Sequence, residues 1–208
     1  MKRLFFITLA VLTLSATQAS AQKWLNLLKT AATTVVDEIT QGQLTALAIV
    51  GEWNYYQPSV RLSSGKDVLS ELTAAAITSS LQTKLVPYYE IVGIKSQLCK
   101  FVFNEDGTFS STFGKNTYFG TYTFEPTTNQ LALKYGKEDS LAALFDMGSV
   151  PAFAYISGAQ LQIVFAADKM LTMVTSLGSN ISSLSSLTSL IQNYNGLKIG
   201  FEFSKNQQ

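Results

Sequence analysis

Few residues of this chain are equipped for chemistry. It has no histidine, which removes the commonest general base and the commonest metal-binding side chain. Its single cysteine, Cys99, stands close before Phe101 and Phe103, the setting of a small buried hydrophobe rather than a nucleophile. One cysteine alone forms no internal disulfide. The run Asn104-Glu105-Asp106-Gly107 places two carboxylates beside a glycine, but a calcium loop requires further oxygen ligands. It reads instead as a hairpin turn. With no nucleophile, base and orienting group in one constellation, the chain reads as non-enzymatic. No motif names a reaction, a cofactor or a metal site.

Arg61 is the candidate for binding a charged group. A guanidinium is a planar fork suited to a carboxylate. Two placements stay open. Strict alternation from Trp53 puts Tyr55, Gln57, Ser59 and Arg61 on one face, where Arg61 would meet an anionic head group. A bulge at Pro58, which has no N–H to donate, instead turns Val60 and Leu62 inward and Arg61 to water. Burial preference favours the bulge.

The remaining candidates are aromatic. Trp53, Tyr55, Phe101, Phe103, Phe109, Phe113, Tyr122 and Phe201 lie on segments that read as strands. With Arg61 they would line a cavity for a small hydrophobic ligand, since such sites are apolar with a few polar groups. The same rings would equally fill the core, because small barrels are often filled by side chains.

The elements that must position these residues are legible in order. Gly51 to about Leu62 is a first strand. Lys66 to Leu85 has helical spacing, with a loose capping box at Ser64 and Asp67; Pro87 ends or kinks that helix, and Gly93 closes the segment. Leu98 to Phe103, Thr108 to Phe113, Thr117 to Phe124 and Gln130 to Tyr135 form a meander with short turns. After a loop from Gly136 to Gly148 with a short helix around Leu141 to Phe145, a hairpin spans Val150 to Ser157 and Gln160 to Ala166. Asp168 is placed to cap a further helix from Lys169, and Leu spacing in the Ser-rich stretch to Ser189 is helical. Leu197 to Ser204 alternates cleanly and should pair with the first strand. About eight strands suit a small closed antiparallel barrel, mainly β with helical insertions at 66–92 and 168–193.

Lys2-Arg3, the apolar run Leu4 to Leu14 and Ala19-Ser20-Ala21 form a secretory signal peptide over 1–21. Cleavage would leave Gln22 first, with no membrane span, and no cysteine stands near that point for a lipid anchor. The expected destination is the periplasm or the extracellular space. Losing Lys2 and Arg3 lowers the formal net charge of +1 by two, to −1, which provides no basic field for nucleic acid. A helical segment over 22–50 follows, with Trp24, Leu28, Ala31, Val35 and Ile39 on one face. Asp139-Ser140-Leu141 resembles a short O-glycosylation signal on Ser140.

Gly51-Glu52-Trp53 resembles the Gly-x-Trp that opens lipocalin barrels. Gly51 to Tyr55 with Pro58, Pro87-Tyr88-Tyr89-Glu90, Phe103 to Phe109 and Asn193-Tyr194-Asn195-Gly196 together resemble a bacterial exported family with a lipocalin-like fold and no established function. The resemblance implies a barrel but brings no catalytic or ligand-binding residues. In lipocalins an Arg late in the barrel packs on the Trp; here the last strand offers only Lys198 and Lys205 for that place. Two non-enzymatic readings follow: a binder of a small apolar ligand, or an envelope interaction module with a filled barrel that docks a partner protein.

Overall fold

Alternation along the chain sets the strands, and their pairing closes them into a ring. A computed structural model describes residues 41–62, 71–136, 149–177 and 196–205. In order these are α1 (Gln43–Ala48), β1 (Gly51–Leu62), α2 (Glu71–Ile91), β2 (Cys99–Phe103), β3 (Thr108–Phe113), β4 (Asn116–Glu125), a 3-10 turn (Pro126–Thr128), β5 (Gln130–Tyr135), β6 (Val150–Ser157), β7 (Gln160–Ala166), α3 (Ala167–Leu177) and β8 (Leu197–Ser204). Each strand pairs antiparallel with the next, and β8 returns to β1. The expected eight-stranded antiparallel barrel with helical insertions is the fold. The expected signal peptide, helical face of 23–40 and Ser64–Asp67 capping box, together with Ser140 and the Ser-rich stretch, lie outside the described residues.

The core sits inside the ring. Trp53, Tyr55, Phe101, Phe103, Phe109, Leu131, Leu133, Ala154, Ile156, Leu161, Ile163, Ile199, Phe201 and Phe203 are all buried there, at alternate positions of their strands. A bulge in β1 makes this possible, two residues earlier than expected. Tyr55 pairs with Phe203 and Gln57 with Glu202, so Tyr56 is the extra residue rather than Pro58. Beyond it Pro58, Val60 and Leu62 oppose the inward Phe201, Ile199 and Leu197, and Arg61 opposes Lys198 on the outer wall.

Pro87 does not end α2; it lies inside it. Leu81, Leu85 and Tyr89 are buried at steps of four, so packing on both sides of the proline holds the helix together. The proline ring itself faces solvent. The helix stops at Ile91, and Gly93 follows at φ +82°, with Ile94 N–H donating to Tyr89 O at 2.8 Å. β2 pairs with β1 only as far as Asn54. α2 packs against β1, and Gln82 Nε2 donates to Pro58 O at 3.1 Å in the part β2 does not reach. α3 begins at Ala167, so Asp168 stands in its first turn rather than capping it; there its charge still favours the helix N-terminus. Among the described residues no helix is long and apolar enough to cross a membrane.

Candidate functional site

The barrel interior is a continuous stack of rings. Phe101 is at its middle, with ring centroids of Phe203 at 5.4 Å, Phe103 at 5.7 Å, Phe113 at 5.9 Å and Phe109 at 6.2 Å. Phe103 meets Tyr122 at 4.9 Å, and Phe109 meets Tyr135 at 5.0 Å. Tyr55 meets Phe201 at 6.1 Å and Phe203 at 6.3 Å. Tyr89 enters from α2 and meets Phe201 at 5.6 Å. These are separations at which aromatic pairs attract.

Trp53, Tyr89, Tyr122 and Tyr135 have their polar ends engaged within the fold. Trp53 Nε1 donates to Ile49 O at 2.7 Å, and Tyr89 Oη donates to Gly200 O at 2.9 Å. Tyr135 Oη shares a hydrogen bond with Ser111 Oγ at 3.2 Å, and Tyr122 Oη donates to Asn104 O at 3.0 Å. Burial pushes the Tyr89 phenol well above its ordinary pKa, with Tyr55 adding to it. Burial, then Cys99 and Glu90, does the same to Tyr55. Cys99 is buried and its thiol is likewise pushed up by burial, so it is not an activated nucleophile. Asp106, in the turn between β2 and β3, accepts from Thr108 N at 2.9 Å and Thr108 Oγ1 at 2.6 Å. Among the described residues no three His, Cys, Asp or Glu side chains gather to hold a metal.

The outer wall carries a second constellation, organised in cross-strand rows. One row runs Tyr155, Gln162, Glu202, Gln57 across β6, β7, β8 and β1. The next runs Phe153, Val164, Gly200, Ser59, and the third pairs Lys198 with Arg61. Glu202 is only 5 % exposed and accepts from Gln57 Nε2 at 3.1 Å and Gln162 Nε2 at 3.2 Å. Its burial raises its pKa, and the two amide bonds partly offset that. Arg61 Nη1 donates to Gln162 Oε1 at 2.9 Å, and its guanidinium lies 3.8 Å from the Tyr155 ring centroid. The arginine on β1 therefore reaches across β8 to β7 and β6, over the row in which Gly200 has no side chain to block it.

The comparison that decides the family is a match to the lipocalin-like domain model DUF4923 over residues 25–205. The chain belongs to the DUF4923 lipocalin-like domain family. A crystal structure of a DUF4847 family protein from Bacteroides vulgatus is similar at 14 % identity, with a TM-score of 0.35, covering 76 % of this chain and 94 % of that one. No curated protein matches it.

Within this DUF4923 domain, eight of the nine residues singled out from the sequence share the interior: Trp53, Tyr55, Phe101, Phe103, Phe109, Phe113, Tyr122 and Phe201. Arg61 is the exception: of its two placements the structure shows the outward one that burial preference favours, with Tyr56 rather than Pro58 as the bulged residue, so Arg61 does not line the interior. The Gly-x-Trp segment has its cation after all. Lys205 Nζ stands 4.7 Å from the Trp53 ring centroid. Phe203 and Tyr135 complete the interior and were legible from their strand parity. Tyr89 was not, since it arrives from a helix. Nor was the row around Glu202, because no pattern in one strand reveals which residues of its neighbours lie beside it.

Proposed function

We propose that this domain is an exported, non-enzymatic interaction module whose barrel is filled by its own side chains. One observation carries the reading: the interior rings contact one another, while the polar ends of Trp53, Tyr89, Tyr122 and Tyr135 bond the domain's own backbone and side chains. A ligand site needs an apolar hollow with polar groups free to orient the guest. Here the indole N–H and the Tyr89 hydroxyl, which would serve that purpose, have partners inside the fold. A barrel of this kind acts through its outside. Export follows from the leader at 1–21, and the absence of histidine supports a role without acid–base chemistry.

Native mass spectrometry of the protein recovered from its exported compartment tests this. The expected spectrum shows a polypeptide beginning at Gln22 with no adduct. A retained lipid-sized adduct would replace this reading with that of a binder of a small hydrophobic ligand.

A further inference from the structure

We propose that the outer wall around Arg61 and Lys198 docks an acidic segment of a partner protein, with a carboxylate seated between the guanidinium and the ammonium. The proposal deepens the interaction-module reading and rests on it.

Arg61 and Lys198 are direct cross-strand partners on β1 and β8. Like charges facing each other in this way destabilise a sheet unless something lies between them. The ion pair formed among the described residues is Lys100 with Glu52, elsewhere on the barrel. The nearby carboxylate, Glu202, is committed to Gln57 and Gln162. Two cations are thus held side by side without an acidic partner among the described residues.

Both cations are also pre-positioned. The Arg61 guanidinium is stacked on Tyr155 and tied to Gln162 by one hydrogen bond from Nη1. A stacked guanidinium keeps its edge available to a carboxylate in two-point contact, and its rotamers are already restricted. Lys198 Nζ is held 4.0 Å from the Phe153 ring centroid. Burial and, next, Arg61 hold its pKa below the ordinary lysine range, a penalty that an incoming anion relieves. Ser59 Oγ, in the row between Arg61 and Gln57, is buried with no hydrogen-bond partner.

The shape and charge of the wall select the partner. It is the outer surface of a closed barrel, whereas small-molecule sites are concave. Two cations on a chain of near-zero net charge do not make the basic stripe that nucleic acids require. A carboxylate on an extended protein segment fits both facts.

The test is fluorescence anisotropy of a dye-labelled Glu–Gly repeat peptide against the full-length exported protein, with a Lys–Gly repeat and polygalacturonate as the other arms. The Glu–Gly peptide should bind, more weakly as salt rises, and the Lys–Gly peptide should not. Arg61→Gln and Lys198→Gln should each weaken binding about tenfold, the scale of one good charge contact. Arg61→Lys should lose less than Arg61→Gln. Lys198→Gln leaves the Arg61 bridge to Gln162 intact, so it reports even if Arg61→Gln impairs folding. Absence of peptide binding, or binding that both Gln variants leave unchanged, overturns the proposal. Arg61-dependent binding of polygalacturonate without peptide binding also overturns it, in favour of an acidic glycan. Each of these results leaves the filled-barrel reading standing, because that reading is decided by the adduct mass.

Discussion

The ammonium of Lys205 faces the Trp53 indole at 4.7 Å and donates to Ala48 O at 3.2 Å and Val50 O at 3.0 Å. One side chain thereby ties the end of β8 to the end of α1 and to the entry of β1. Trp53 adds its own bond to Ile49 O in the same short connection. Trp53, the end of α1 and the closing strand are one unit.

Removing either member of that unit should weaken both. Trp53→Ala should cost about 3–5 kcal/mol, the scale of a large core truncation. Lys205→Met, which keeps the apolar stem but loses both hydrogen bonds, should cost about 1–3 kcal/mol. In urea melts the double variant should lose less than the two single losses added together, since contacting residues couple. Strict additivity would show that the cation and the indole act separately.

Tyr89 adds a buried hydroxyl bond to the contacts that Leu81, Leu85 and Gln82 make between α2 and the barrel. Tyr89→Phe removes the bond to Gly200 O and should cost about 1–2 kcal/mol. Tyr89→Ala should cost about 3–5 kcal/mol, because it also empties the space beside Tyr55 and Phe201. An unchanged melting midpoint in Tyr89→Phe would mean that the helix is held by its packing and by Gln82, without the hydroxyl.

Gly200 stands on β8 with no room for a side chain beside β7. A Cβ there would run into Ile163 O and come within 2.7 Å of Val164 Cα, backbone atoms that have no rotamer to give way. Gly200→Ala should therefore destabilise by about 1–3 kcal/mol or more, and should disturb the Arg61 bridge above it. Native-like stability in a denaturant melt would contradict so tight a strand approach.

Glu202 makes stability depend on pH in a definite direction. Its folded pKa is raised, first by burial, so the folded chain holds the proton more firmly than the unfolded one. Its stabilising contribution is fully present below the unfolded value of about 4.3 and is lost as pH rises through the raised folded value. Glu202→Gln should flatten the fall in stability across that window; the Gln57 amide can turn to keep both hydrogen bonds. Urea midpoints measured from acid to neutral pH check this. An equal slope in wild type and variant would assign the dependence to other groups.

The sequence by itself determined the strands, their order and the inward rings, because period-two alternation and turn residues are local properties. Leu197 to Ser204, the hairpin at Gly158-Ala159 and the meander from Cys99 onward could be read without a partner strand in view. Tertiary structure decided the rest. Pro87 stays helical because Leu85 and Tyr89 are packed on either side of it, and Arg61 faces outward because one extra residue, Tyr56, shifts β1 against β8. The row around Glu202 exists only once four strands are in register. A hydrophobic pattern states which face of a strand is buried; only the pairing of strands states what stands beside it.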